Sequence, residues 1–240
     1  MPVERSSREP ARASHGVPEE APHVPRRAAR AAAAPSRTND PARTMAGILA
    51  VAEREFAEKG LSGARIDEIA AATQSSKRMI YYYFGSKEGL YRRVLEDAYQ
   101  RMRKTEAALH LDDLEPAEAL RKLVVFTFDH HRSNEGYIRL VMTENMERGV
   151  YLKQSKTIRE LNSPAIDAVA RIYQRGVAAG VFREGLDPVD IHASISALAF
   201  FNVSNRHTFG LIYAYDTHKP KVERARRDSV VDMVLRFVCI

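Results

Sequence analysis

The chain has 240 residues, 45% hydrophobic and 28% charged, with a formal net charge of +6, a balance that excludes fibrous and wholly disordered classes. The lone cysteine, Cys239, excludes internal disulfides and cysteine-based zinc folds, and it stands too near the end for a prenylation box. No apolar run approaches the roughly 18 residues of a membrane span, and the opening MPVERSSREP has no signal-peptide core, so a cytoplasmic protein without a membrane partner is expected.

Residues 1–38 hold six of the eleven prolines, nine alanines and no aromatic residue, and Val3, Val17 and Val24 are too few to bury. This stretch is predicted to be a disordered tail. Its seven arginines can brush DNA phosphates, or the tail can be merely solvated, since four glutamates dilute the charge. Residues 39–107 carry twelve Lys/Arg against ten Asp/Glu, and 108–240 carry eighteen against seventeen. No segment is a polycation, so support for nucleic-acid binding has to come from local pattern.

From residue 40 the apolar residues recur at helical spacing, and nothing alternates with period two for long enough to make a strand. Asp40-Pro41 pairs a capping residue with a proline at the first helical position. Ile48, Ala52 and Phe56 then step by four until Lys59 and Gly60 close the helix. A short helix over 66–72, a break at Thr73-Gln74-Ser75 and a third helix over 76–83 come next. After Gly85-Ser86 a long fourth helix runs over 87–107, with Ser86 as cap and Glu88 in its first turn. Further helices are predicted over 116–133, 135–147, 151–161, 164–179, 188–208 and 220–238, with a proline near the start of four of them. The expected fold class is all-α. A three-helix head within 39–107 is joined by its long helix to a helical domain over 108–240.

Two short helices joined by a three-residue break, behind a longer first helix, form the helix-turn-helix pattern. Major-groove readout requires the second helix to offer donors and apolar groups from its N-terminal turns while its back stays apolar. Ser76 caps that helix, Lys77 and Arg78 are long donors, and Met79 suits a thymine methyl. Tyr81 and Tyr82 bring hydroxyls for phosphates or base edges, while Ile80, Tyr83 and Phe84 read as buried anchors. Lys87, beside the free N-terminal end of the fourth helix, suits a phosphate. Beside these stand plainer readings, in which the two lysines are solvated and Tyr81 is a core aromatic.

These residues resemble the N-terminal domain of TetR/AcrR-family transcriptional regulators. The resemblance rests on Ile48-Leu49, Ala52 and Phe56-Ala57-Glu58-x-Gly60, on Ile69-Ala70-x-Ala72, and most specifically on the string from Tyr81 to Glu88. It spans residues 46–95 without a gap, and it implies a homodimer with two DNA-binding heads and a C-terminal domain that binds a small molecule. Three departures stand out. Gln74 occupies a turn position where the family often has glycine, Ala64-Arg65 stand where Ser or Thr usually meets a phosphate, and Arg78 replaces a small residue. Arg65 can make the phosphate contact by charge, and Arg78 suits a guanine.

The C-terminal helices suggest a partner. On 164–179, Ile166, Val169, Ala170, Tyr173 and Val177 share a stripe. On 188–208, Ile191, Ile195, Leu198 and Ala199 form one face, and Ala193, Ala197, Phe200 and Phe201 another. A helix that is apolar nearly all round needs cover on both sides, so Ile166, Tyr173, Ala193, Ala197, Phe200 and Phe201 are the expected dimer interface. The resemblance implies the same, a four-helix bundle of late helices. Candidate pocket residues are polar or aromatic ones among apolar neighbours: Phe126, His130, Tyr137, Glu144, Asn145, Tyr173 and Asn202. Each has a plainer reading as core, cap or exposed residue. Asp129-His130-His131 does not make a metal constellation, because adjacent histidines point to different helix faces. No cofactor and no catalytic constellation is expected. The predicted function is a sequence-specific DNA-binding regulator, a repressor released from a palindromic double-stranded operator by a small-molecule effector. The alternative is a constitutive or architectural DNA-binding regulator without an effector.

Overall fold

The structure, a computed structural model, describes residues 40–240 apart from Thr217, so the predicted tail over 1–38 lies outside the described residues. Asp40 caps the first helix, its carboxylate accepting from the N–H groups of Ala42 (3.0 Å) and Arg43 (3.3 Å). That helix, α1, covers Pro41–Gly63, but Gly60 at φ 66° and ψ 176° breaks it one turn from its end. The break is where the sequence places it, and only glycine takes that backbone without cost. Next come α2 (Ile66–Ala72), α3 (Lys77–Phe84) and α4 (Lys87–Ala107). The body is built from α5 (Pro116–Ser133), α6 (Glu135–Met146), α7 (Lys156–Ala178), α8 (Pro188–Ser204), α9 (Arg206–Tyr213) and α10 (Pro220–Val238). The chain is all-α. Its only strand-like contact among the described residues is one bridge between Phe182 and Cys239.

Two predicted boundaries move. Pro164 does not begin a helix but lies inside α7, which starts at Lys156 under the Ser155 hydroxyl cap (3.2 Å from the Ile158 N–H). Proline is tolerated there because Pro164 and Glu160 are both exposed, so water can take the carbonyl that the missing N–H leaves free. The helix predicted over 188–208 instead stops at Ser204, where Asn205 at φ −106° and ψ 2° turns the chain and α9 begins. The Asn205 amide donates to the Ser204 hydroxyl (2.8 Å), the kind of local bonding with which Asn competes against helix.

The hydrophobic core has two lobes. One gathers Ile48, Phe56, Ile69, Ile80, Leu90 and Tyr91 of α1–α4 with Ile138 and Leu140 of α6. The other gathers Leu120, Val124 and Phe128 of α5 with side chains of α7, α8 and α10, among them Ile172, Ile195 and Val234. The helix-turn-helix helices therefore share a core with α6 rather than standing apart from the body.

The second lobe is closed by a close approach. A Cβ at Gly176 of α7 would lie 2.0 Å from Cδ2 of Phe182, whose ring is fully buried. Gly176→Ala is expected to destabilise the chain by about 2–3 kcal/mol through overpacking, read as a lower urea midpoint at constant m-value. An unchanged midpoint would contradict this packing.

Candidate nucleic-acid interface and sensing cavity

The turn between α2 and α3 is made without glycine. Gln74 itself takes φ 52°, at a cost of roughly 1–2 kcal/mol for a residue with a Cβ. The Ser75 N–H donates to the Ala70 carbonyl (3.0 Å) and closes the turn. Ser76 caps α3, its hydroxyl accepting from the Met79 N–H (3.1 Å), so its role is to start the helix and aim the side chains after it. Ile80 is fully buried, Met79, Tyr83 and Phe84 are half-buried, and Lys77, Arg78, Tyr81 and Tyr82 are exposed, Tyr82 by 80%. One face of an eight-residue helix thus anchors it while the other offers a cation, a guanidinium and two phenols to solvent. The start of α4 is pressed onto the end of α3, since a Cβ at Gly89 would lie 2.1 Å from the Phe84 carbonyl oxygen. Ser86 caps α4 through the Gly89 N–H (3.0 Å).

The other predicted contacts surround this helix. Lys77 pairs with Asp67 of α2, and the Lys87 ammonium donates to the Ser62 carbonyl (3.3 Å). Both ammonium groups are held near the helix-turn-helix surface, where a phosphate can replace their present partners. Arg65 has an exposed side chain and gives α2 no side-chain cap, and its own N–H donates to Glu55 (3.1 Å). Asp67 and Glu68 in the first turn complement the helix dipole instead. Lys59 joins Glu55 to Glu68, and these contacts hold its ammonium above the usual lysine range and the Glu68 carboxyl below the usual carboxylate range.

A joint with no signature in the sequence ties α1 to α6. The Arg139 guanidinium donates to the carbonyls of Ala57 (2.6 Å) and Glu58 (3.4 Å), in the turn just before the break at Gly60. Gly136, one turn earlier on α6, faces Ala57, whose methyl lies 3.7 Å from where a Gly136 Cβ would stand. Arg101 of α4 donates to Glu53 of α1 (2.6 Å), and Arg206 pairs with Glu135 of α6.

Between α4, α5, α6, α7 and α8 lies a cavity of about 310 Å³. Its walls are aromatic and apolar in Tyr99, Tyr137, Phe200, Met102, Val141 and Ile195, and polar in Arg103, Glu106, His131, Asn162, His192 and Ser196. Tyr99 and Tyr137 meet edge to face at 5.3 Å, and burial raises both phenols. Arg103 pairs with Glu106 and donates to the Asn162 side-chain oxygen (3.0 Å), while burial raises the Glu106 carboxyl against the pull of that guanidinium. Burial and Arg103 hold His130 and His192 below the usual histidine range and push His131 down to about 4.

Of the seven predicted pocket residues, Tyr137 lines this cavity. Phe126 and His130 meet at a tilt, their ring centres 5.5 Å apart, and neither lines it. Glu144 is buried elsewhere, accepting from the N–H groups of Tyr151 (3.2 Å) and Leu152 (3.0 Å) and so fixing the loop after α6. Asn145 is exposed and bonds its own helix at the Val141 carbonyl (2.9 Å). The Tyr173 hydroxyl holds the loop before α8, donating to the Arg183 carbonyl (3.0 Å) and accepting from the Leu186 N–H (2.9 Å). Asn202 accepts from Arg226 of α10 (3.0 Å). Arg103 and Glu106, which also line the cavity, carry no signal in sequence, because a pair of opposite charges three apart on a polar helix looks the same whether it faces a cavity or water. Of the predicted interface, Ala193, Ala197 and Phe201 form an exposed strip on α8, and Ile166 is half-buried on α7. Phe200 is turned inward to the cavity, 6.3 Å from His131, because one helical step separates it from Phe201 by about 100°. Among the described residues no three His, Cys, Asp or Glu side chains converge as a metal site, and no helix is long and apolar enough to cross a membrane.

Comparison with known proteins agrees with this geometry. Residues 48–94 match the family described as bacterial regulatory proteins, tetR family, and residues 116–234 match the tetracyclin repressor-like C-terminal domain. The chain is similar to the HTH-type transcriptional repressor NicS of Pseudomonas putida, with 35% identity over 194 residues that cover 81% of this chain and 92% of that protein. It is also similar to the HTH-type transcriptional repressor SCO4008 of Streptomyces coelicolor, 33% identical over 58% of this chain and 69% of the relative. Among solved structures, a transcriptional regulator of Streptomyces coelicolor, SCO4942, superposes with a TM-score of 0.62 at 26% identity, covering 81% of this chain and 98% of that one.

The cavity carries a pH dependence of stability. His131 binds its proton more weakly folded, at about 4, than unfolded, at its ordinary 6.5. Its contribution is therefore complete above about pH 6.5 and is lost as the pH falls toward 4, a change of about 2–3 kcal/mol. Urea unfolding at pH 7 and pH 4.5 is expected to show a loss smaller by that amount in His131→Phe than in the parent chain. Equal losses in the two proteins would remove His131 as the source.

Proposed function

The chain belongs to the TetR family of sequence-specific DNA-binding transcriptional regulators, and we propose that it works as a dimeric repressor which a small-molecule effector releases from a palindromic operator. The observation that carries this reading is the continuity of α4, whose N-terminal end packs under the recognition helix α3 and whose C-terminal half lines the cavity. A ligand among Tyr99, Arg103 and Glu106 presses on the same helix that seats Ile80. Both relatives named above are repressors, which favours repression over activation.

In this reading residues 39–107 are the DNA-binding head with its connecting helix, and residues 108–240 sense the effector and dimerise. Arg65, Lys77 and Lys87 meet phosphates and fix the register, while Arg78, Met79 and Tyr82 reach base edges from the major groove, with Tyr81 at its margin. Ser76 keeps these side chains in place by capping α3. The second copy covers Ala193, Ala197 and Phe201 of α8 together with the exposed Met233 and Phe237 of α10. Two heads then enter successive major grooves about 34–36 Å apart. A constitutive regulator would have no use for a cavity whose polar groups are left without partners, as His131 Nδ1 is.

Selection of bound DNA from a random pool tests the DNA-binding half. An inverted repeat is expected, with Arg78→Ala relaxing preference at one base pair by about 1–3 kcal/mol and Lys87→Ala weakening all sequences alike and flattening the salt dependence. Recovery of sequence-indifferent or non-palindromic DNA, or interchangeable effects of the two substitutions, would overturn the assignment.

A further inference from the structure

The walls of the cavity narrow what it can hold. About 310 Å³ is at the small end of ligand sites, room for one ring with one or two substituents rather than for a long acyl chain or a nucleotide. Its ring-shaped lining, Tyr99, Tyr137 and Phe200 with two imidazoles, suits a flat ligand that stacks or meets edges.

The charges point one way. Arg103 is the permanent cation of the wall, and Glu106, the carboxylate of the wall, is already engaged by it. His131 is 94% buried, lines the cavity, and its Nδ1 meets no hydrogen-bond partner in the chain. The groups around it are Tyr99, Arg103 and Glu106 on α4, His130 on its own helix, Tyr137 on α6 and His192 on α8, while α7 offers Asn162, which does not titrate. No free anion faces His131 from any of these helices. An amine would meet the Arg103 guanidinium and two imidazoles with no carboxylate to spare, since Glu106 is held by Arg103. A neutral ligand offers that guanidinium no charge to take the place of Glu106. An anion does.

Glu106 can give way. It also lines an outer groove of about 690 Å³ between α4 and α7, so its carboxylate can turn to water when another anion takes its place on Arg103. We propose that the cavity takes a small ring-bearing monocarboxylate, which exchanges with Glu106 on the Arg103 guanidinium and is bound together with one proton taken from solvent by His131. The sensing role proposed above is the premise, and this inference adds the chemical class of what is sensed. In the empty cavity, burial together with His130 and Arg103 keeps His131 neutral; a carboxylate beside it favours the imidazolium.

Calorimetric titration of the full chain tests this, with benzoate and its monohydroxy derivatives as probes against the matching benzamides and benzylamines. Titrations are run at pH 5.5 and 7.5 in two buffers of different ionisation heat. At least one carboxylate is expected to bind tenfold or more tighter than its amide and amine. Its affinity should be about tenfold higher at pH 5.5 than at pH 7.5, with uptake of nearly one proton at pH 5.5 and almost none at pH 7.5. His131→Gln should keep binding but lose the pH dependence. Arg103→Gln combined with Glu106→Gln, which leaves no carboxylate buried alone, should abolish carboxylate binding in a chain that still melts cooperatively. The inference is overturned if no carboxylate binds, if an amide or amine binds as tightly, or if the pH dependence survives His131→Gln. Operator release, scored separately by electrophoretic shift, keeps the two readings apart. Release by an amide or amine leaves the sensing role standing without this chemistry, whereas carboxylate binding without release leaves the chemistry standing without the role.

Discussion

The contact between α1 and α6 is what makes the helix-turn-helix and the body a single mechanical object. A helix that ends leaves its last carbonyls without intrahelical donors, and Gly60 ends the main run of α1 next to α6. Arg139 supplies the missing donors at Ala57 and Glu58 through a planar fork that fixes direction as well as distance. Gly136 stands one turn earlier on α6, facing Ala57 of α1. The joint adjoins the shared core, in which Ile138 and Leu140 of α6 pack with Ile48 and Phe56 of α1. Tyr91 is buried against Phe56, 5.1 Å away and edge to face.

The two helices that hold the head, α4 and α6, also contribute walls to the cavity. α4 spans about 30 Å, with Leu90 and Tyr91 under the head and Arg103 and Glu106 at the cavity. α6 presents Tyr137 to the cavity and, from adjacent positions, Gly136 and Arg139 to α1. A ligand that favours one placement of these helices over another by about 1–3 kcal/mol is enough for a useful switch, because packed helices move as units rather than deforming. The buried polar groups of the cavity, stable in the empty state only while His131 stays neutral, are the natural place for that preference to arise.

The head was legible in sequence because its constraints are local. Capping by Asp40, Ser76 and Ser86, the four-residue steps of Ile48, Ala52 and Phe56, and the glycines at 60 and 85 each act within a turn or two, and their positions fix the helices α1–α4. The turn itself was less legible. Gln74 takes a left-handed backbone that nothing in its side chain announces, held there by the packing of α2 on α3. The body was legible as helices but not as a site. The cavity wall draws a few residues from each of five helices, and a polar side chain facing a cavity has the same one-dimensional signature as one facing solvent. Arg103 and Glu106 carry no mark that separates the two. Glu144, Tyr173 and Asn202 stand as polar residues among apolar ones, and in the structure they fix loops and a helix pair. Phe200 and Phe201 show the same limit, since adjacent phenylalanines on a helix apolar nearly all round do not reveal which faces inward.

The central claim is that α6, through Arg139, sets where the head stands. The most direct measurement is the distance between spin labels on the exposed Tyr82→Cys of two protomers, in a Cys239→Ser background, with Arg139 intact and with Arg139→Met. A single narrow distribution with Arg139 and a markedly broader one without it is the predicted result. Equally narrow distributions in both proteins would contradict the account, because the head would then hold its position without the joint.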